Sequence, residues 1–171
     1  MGFNRPDTPV VRNCYIPPGL LYETRTHLWF RREPGPKDAV GSDGEDGLLT
    51  LGLSDMAQTA AGKILHFTPK TVGRVFLANK PVALLEAAKW LGVLRLPFDV
   101  RLEAVNLDVV ENPFLVNRFP YTRGWVLRVA PMGRPRLEDH LLTADQAMDV
   151  YGLRFEEWGL TDCVHCLGFE T

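Results

Sequence analysis

The sequence predicts a mainly β chain of the α+β class, a barrel or sandwich of short strands with short helices and one longer helix towards the C-terminus. Apolar runs of strand length recur from Thr26 to Val129, each bounded by Pro, Gly, Asp or Asn, which is the pattern of strands joined by turns. From Arg136 onward the spacing becomes helical. With 171 residues, 46% of them hydrophobic and 23% charged, the chain is long and apolar enough for one sizeable core.

The residues from Met1 to Leu20, including Pro17, Pro18 and Gly19, read as an extended arm. THLWFRRE, Thr26 to Glu33, is strand-like, with Leu28 and Phe30 alternating with His27, Trp29 and Arg31. The Gly, Pro, Asp and Ser content of Pro34 to Gly47 cannot supply a packed core, so this stretch is expected to be a mobile loop between two paired strands. LLTLGLS, Leu48 to Ser54, is the return strand, and Ser54 or Asp55 is placed to cap a short helix over Met56 to Ala61. Further strands are expected at Lys63–Pro69, Val72–Phe76, Pro81–Leu85, Val93–Leu96, Arg101–Val105 and Trp125–Val129. Leu137, Leu141 and Leu142 fall at helical spacing. Thr143 can cap a helix from Ala144 towards Trp158, with Met148, Leu153 and Phe155 on its apolar face.

Several function classes are disfavoured by composition. A formal net charge of -2 provides no global positive field for a phosphate backbone, so nucleic acid is not an expected partner. No apolar run approaches the roughly 20 residues needed to cross a bilayer, the start lacks a signal-peptide layout, and Pro6 occupies the Ser/Thr position of the myristoylation pattern. A soluble cytoplasmic protein without a membrane partner is therefore expected. Three cysteines, an odd number, argue against a secreted disulfide scaffold. No Gly-rich phosphate loop, H-E-x-x-H or G-x-S-x-G run appears, so an enzyme is not expected.

LLEAAKWLGV, Leu84 to Val93, is the ambiguous stretch. Its Ala, Leu, Glu and Lys are good helix formers, and Leu84, Leu85 and Ala88 fall at helical spacing, which makes Lys89 a solvated side chain on a helix. The denser signal lies downstream in ENPFLVNRFPYTRGW, Glu111 to Trp125. It resembles the NPxLVNxxPYxxGW run of the glycine cleavage system H protein family, matching at Asn112, Pro113, Leu115, Val116, Asn117, Pro120, Tyr121, Gly124 and Trp125. In register upstream, Asn106 and Pro97 fit the family spacing, and Glu86-Ala87-Ala88-Lys89 stands where the family has Glu-Ser-Val-Lys. His27 and Trp29, then Gly52, Leu53, Ser54, Asp55, Ala57 and Gln58, and finally Gly62 and Ile64 extend the likeness from Leu21 to about Ala130.

The resemblance implies a flattened barrel-sandwich hybrid of the lipoyl/biotinyl carrier type, with lipoic acid attached covalently to Lys89 at the tip of a turn and Val82–Leu85 and Val93–Leu96 as its paired arms. It divides the chain into an arm over 1–20, a carrier barrel over 21–135 and a helical segment with a cysteine-containing tail over 136–171. Glu86 is implied as the residue read by the lipoate-attaching enzyme; the plain alternative is a solvated carboxylate beside a turn. Biotin is disfavoured because Ala88 and Trp90, not methionines, flank Lys89. The implied partners are that attaching enzyme, dihydrolipoamide dehydrogenase, and either glycine decarboxylase with aminomethyltransferase or a heterodisulfide-reductase-like complex.

Two departures bear on that choice. The family's Ala-x-Ser-Asp-x-Tyr after the lysine is replaced by Trp90, Leu91, Gly92, Val93, Leu94 and Arg95, and Cys163-Val164-His165-Cys166 follows the last helix. Both resemble the H-protein-like lipoate-binding proteins of sulfur oxidation, which favours cargo of sulfur or electrons over an aminomethyl group. Cys163 and Cys166 are candidates for a redox dithiol; half of a zinc site with His165 and Cys14, or plain tail cysteines, are the alternatives. No metal site is assigned, and His27, His66 and His140 are too scattered to read as ligands.

Overall fold

A computed structural model describes residues 10–11, 14–34 and 47–163. Most of the expected loop at Pro34 to Gly47, and the tail from Val164 through Cys166, lie outside the described residues. The chain is mostly antiparallel β, built as two sheets that face each other, with a helical layer outside the larger one. Strands β1 (Val10–Val11) and β2 (Cys14–Tyr15) form a small ribbon. Strands β3 (Leu21–Glu23), β4 (Leu28–Arg32) and β5 (Leu49–Leu53) begin the six-stranded sheet. It is completed by β7 (Val75–Phe76), β10 (Val100–Val105) and β11 (Leu127–Pro131), in the order β3-β4-β5-β11-β10-β7. The second sheet has the order β6-β8-β9, from β6 (Ile64–Pro69), β8 (Pro81–Ala87) and β9 (Leu91–Arg95).

The main core fills the space between the sheets. Inward residues alternate along each strand, as a period of two requires, and Leu28, Phe30, Leu51, Leu85, Leu94 and Leu102 are all fully or almost fully buried there. Alternation along β4 placed Trp29 on the outside, yet Trp29 is also 0% exposed. The reason is a second apolar layer. Helix α4 (Ala144–Glu157) covers the outer face of β4 with Ala144, Ala147, Tyr151 and Phe155, together with Cys14, Ile16, Tyr22 and Met56. The indole N–H of Trp29 donates to the carbonyl of Pro120 at 3.0 Å, which satisfies its one polar atom.

Helix α4 starts as its sequence requires. The Thr143 hydroxyl accepts from the Gln146 backbone N–H, and the Gln146 side chain accepts from the Thr143 N–H, a complete capping box. Its buried face differs from the expected one, because Leu153 is 69% exposed while Ala147 and Tyr151 point inward. Helix α1 (Asp55–Ala61) follows β5 with Ser54 at its N-cap, although the Ser54 side chain makes no capping bond. The Tyr121 hydroxyl instead accepts from the Asp55 N–H at 2.9 Å and donates to the Tyr15 carbonyl at 2.5 Å. The short helices α2 (Leu107–Glu111) and α3 (Leu115–Arg118) lie within the run that ends at Trp125. Leu137–Asp139 form a single 3-10 turn rather than a longer helix, and Leu142 forms an isolated bridge with Tyr22.

Described residues before Leu20 pack into the second apolar layer. Cys14 and Ile16 are 0% exposed, and Cys14 is bonded to Cys163 across 149 positions of sequence, with Cα atoms 5.1 Å apart. Cys163 therefore has its partner on β2, not at Cys166. Closing so long a loop removes unfolded-chain entropy equivalent to about 5 kcal/mol in the chain-entropy limit. Reduction with dithiothreitol, or Cys14→Ser, is expected to lower the melting temperature by on the order of 10 °C. Identical melting curves with and without reductant would show that the bond contributes nothing.

Candidate functional site

The stretch that propensity read as helix is a hairpin. Strands β8 and β9 pair through Leu84↔Val93, Leu85↔Gly92 and Glu86↔Leu91, and Ala88, Lys89 and Trp90 make the turn. Non-local pairing wins because β8 is central in its sheet. It bonds β6 on the other side, through Phe67↔Leu85, and buries Val82, Ala83 and Leu85 in the core. The turn closes with the Ala87 N–H donating to the Trp90 carbonyl at 2.8 Å.

Lys89 stands at the apex and its residue is exposed. The backbone beneath it is held from outside the hairpin. Ala88 N–H donates to the Lys63 carbonyl at 2.9 Å and Lys89 N–H donates to the Ala61 carbonyl at 3.3 Å. The chain enters that support through Gly62, which ends α1 at φ 78°, a left-handed conformation that glycine adopts without strain. Asn117 on α3 locks the same segment. Its side chain accepts from the Ile64 N–H at 2.8 Å and donates to the Gly62 carbonyl at 3.0 Å and to Gln58 at 3.4 Å, while only 3% exposed. The arrangement is an exposed four-carbon stem on a base held by backbone hydrogen bonds.

Beside the apex lies a cavity of about 280 Å³ lined mainly by Arg25, His27, Ala57, Ala61, Trp90 and Trp158. Its apolar walls come from α1, the two indoles, Leu53 on β5 and Val93 and Leu94 on β9. Trp90 is 45% exposed and folds back over Gly92; a Cβ on Gly92 would sit 1.5 Å from the indole. Glycine at 92 thus makes room for the Trp90 ring, so this departure from the family pattern has a structural basis. Glu86 is exposed on the outer face of β8, opposite His66 on β6 and Leu91 on β9.

The rim opposite the hairpin is the turn after β3. Burial alone would raise the Glu23 carboxyl, but hydrogen bonds from Thr26 and Arg25 outweigh it and hold Glu23 below the usual carboxylate range. Glu23 accepts from the Thr26 N–H at 2.7 Å, the Arg25 side chain at 2.9 Å and the Thr26 hydroxyl. His27 sits at φ 60° in this turn, its Nδ1 buried without a hydrogen-bond partner among the described residues and its ring 5.8 Å from that of Trp158. Burial, with Arg154 adding repulsion, pushes His27 down to about 4, so the imidazole is neutral at pH 7.

That shift gives a pH prediction with a defined sign. A histidine charged more easily in the unfolded chain makes folding less favourable as pH falls, so stability is full above about 6.5 and drains away down to about 4. The loss is expected to be of order 3 kcal/mol at most. His27→Gln should flatten the urea-denaturation midpoint between pH 6.5 and 4; an unchanged slope would show that His27 does not cause it.

Among the described residues there is no cluster of three His, Cys, Asp or Glu that could hold a metal ion, and no helix is long and apolar enough to cross a membrane. Arg25, His27 and Trp158 belong to the site through the fold, and no spacing along the sequence brings them together. The sequence does match a known family: the model described as Glycine cleavage H-protein covers residues 23–152. The chain belongs to that family. It is similar to Glycine cleavage system H protein 3 of Aquifex aeolicus, 32% identical over 159 residues and 91% of each chain. Probable glycine cleavage system H protein 2 of Sulfurisphaera tokodaii is 34% identical over 140 residues, 81% of this chain and 86% of that one. Among solved structures, a glycine cleavage system H protein from Mycobacterium marinum superposes with a TM-score of 0.66 at 26% identity, covering 80% of this chain and 99% of that one. H proteins carry lipoate on a lysine, so this chain is a lipoyl carrier of the H type with the flattened barrel-sandwich expected for it.

Proposed function

We propose that Lys89 is the lipoylated residue and that the chain serves as the carrier between glycine decarboxylase, aminomethyltransferase and dihydrolipoamide dehydrogenase. The observation that carries this reading is an exposed primary amine at the apex of a hairpin whose backbone is bonded from Ala61 and Lys63. The residues fit a lipoyl group: acylation removes the ammonium charge, and the neighbouring cavity offers Ala57, Ala61, Trp90 and Trp158 to an apolar arm. When attached, lipoate supplies a dithiolane that alternates between disulfide and dithiol on a tether of roughly 14 Å.

The chain's own contribution is position. Bonds from Ala88 and Lys89 to the α1–β6 segment keep the stem's root still, so the partners meet the arm at roughly millimolar effective concentration. Neutral His27 and the two indoles offer the cavity no ionised group, and Arg25 supplies charge at its mouth. Glu86, exposed three residues before Lys89 on the outer face, is proposed as the contact for the lipoate-attaching enzyme. No catalytic step is assigned to the chain itself. We place it in the cytoplasm, where thiol reductants would act on the Cys14–Cys163 bond.

The sulfur-oxidation reading has one observation in its favour, the Trp90-over-Gly92 packing where the family pattern has polar residues. The relatives' names support the glycine pathway better. Reconstitution separates the two: the lipoylated chain is expected to support full glycine turnover with glycine decarboxylase, aminomethyltransferase and dihydrolipoamide dehydrogenase, the last supplied with its electron acceptor to reoxidise the dithiol, and failure with a fully lipoylated sample would overturn the glycine assignment.

A further inference from the structure

The run from Asn112 to Trp125 contains two sets of residues with different jobs. Those matching the family run build the fold: Asn117 locks the segment under Lys89, Tyr121 caps α1, and a Cβ on Gly124 would sit 2.6 Å from the Leu115 carbonyl oxygen. The positions that the run leaves open carry Phe114, Arg118, Phe119, Thr122 and Arg123, and the four other than Thr122 are aromatic or basic. The fold gathers these on one surface. The guanidinium carbons of Arg118 and Arg123 lie 5.5 and 5.3 Å from the centre of the same Phe119 ring, and the Lys63 ammonium lies 5.0 Å from that of Phe114. A recess of about 290 Å³ opens between Phe114, Phe119 and the two arginines.

Among the described residues, neither Lys63 nor Arg123 forms an ion pair, and both are exposed. Asp55, the acidic residue nearest Lys63 along the chain, is buried, and Asp108 and Glu111 are carried on α2, which contacts β6 and α3. On a chain of net charge -2 this is a local concentration of cations in which Lys63 and Arg123 have no ion-pair partner among the described residues. It is also tied to the proposed lipoyl site. Lys63 provides the carbonyl that holds Ala88, and Asn117, next to Arg118, bonds both Gly62 and Ile64.

We infer that this basic, aromatic surface docks an acidic, carboxylate-bearing face of the protein that services the Lys89 arm. The inference rests on the carrier reading for the identity of the visitor, and on geometry for its chemistry. The Arg123 guanidinium lies within cation–π range of Phe119, and a guanidinium can bind a carboxylate through two parallel hydrogen bonds. Burying Lys63 and Arg123 against an uncharged or basic surface would cost desolvation without return, whereas an acidic face compensates it and steers the encounter. Arginine and phenylalanine side by side supply both the polar and the apolar contact that interface centres use. The recess lies beside the lysine's support and is separate from the cavity that Trp90 and Trp158 line, so docking leaves the arm its own path.

The test uses the full chain, isotope-labelled, with and without lipoate, titrated at low salt with an octaglutamate peptide and separately with an eight-nucleotide single-stranded DNA. Octaglutamate is expected to shift the resonances of Lys63, Phe114, Arg118, Phe119 and Arg123. The Lys63→Glu/Arg123→Glu variant should bind it at least ~10-fold more weakly, whereas Lys70→Glu, exposed elsewhere on β6's end, should not. Shifts centred on another surface, or equal binding by the double variant, overturn the proposal. So does tighter binding of the oligonucleotide at these residues, which would assign the surface to nucleic acid. Lipoate uptake is read by mass on the same samples. Peptide binding by a chain that takes no lipoate keeps the surface and removes the carrier reading, and an acylated chain that ignores the peptide does the reverse.

Discussion

Lys89→Arg is expected to give a folded chain that takes up no lipoate and supports no carrier turnover. A guanidinium keeps the positive charge and the length of the stem, but it stays protonated and offers no free amine to acylate. The side chain stands at an exposed apex, and the bonds beneath it, from Ala88 N–H to Lys63 and from Lys89 N–H to Ala61, are backbone bonds that the substitution leaves in place. Circular dichroism and melting temperature should therefore match the parent while acylation by a lipoate-attaching enzyme falls to background. Residual acylation near the parent level would mean that another lysine carries the group. An unfolded variant would mean that the apex side chain has a packing role that its exposure does not suggest.

Asn117→Ala should produce the largest loss of stability among single polar substitutions near the site. The Asn117 side chain is 3% exposed and bonds the Ile64 N–H, the Gly62 carbonyl and Gln58. Removing it leaves a buried donor and a buried acceptor unpaired, at about 1–3 kcal/mol each, so a total of roughly 3 kcal/mol is expected from urea denaturation. The effect should also reach the hairpin, because Ala61 and Lys63, on either side of Gly62, hold the Lys89 turn. Amide exchange at Ala88 and Lys89 is expected to rise more than exchange on β10 or β11. A loss below about 1 kcal/mol, with unchanged exchange at Ala88, would show that the hairpin stands without this lock.

Much of the barrel is legible in the sequence because its strands are short, alternate inside and outside, and end at Pro, Gly, Asp or Asn. The strands expected at Lys63–Pro69 and Arg101–Val105 fall almost where β6 and β10 lie, and Thr143 announced α4 through its capping box. Lys89 was ambiguous for a physical reason. Local propensity favours a helix over Leu84 to Lys89, and the strand forms through pairing with β6 and β9, contacts that single-sequence propensity does not contain. Only the resemblance to a family resolved it.

Other features had no local signal at all. Trp29 reads as outward by alternation, and its burial depends on α4, more than a hundred residues away, covering a second face of β4. Helices α2 and α3, of five and four residues, are too short for a helical period to show. The Cys14–Cys163 bond joins residues 149 apart, where proximity of Cys163 to Cys166 in sequence suggested a different pair. The cavity beside Lys89 collects Arg25, His27 and Trp158 from separate segments, so only the fold reveals it. The preference for sulfur cargo rested on Trp90 to Arg95 and the tail. The family match and the relatives' names favour the glycine pathway instead.

The most direct measurement is intact mass followed by peptide mapping of the full chain after incubation with lipoate and an attaching enzyme. The account predicts a gain of about 188 Da, carried wholly by the peptide that contains Lys89. An unmodified Lys89, or the same gain on Lys63, Lys70 or Lys80, would contradict it.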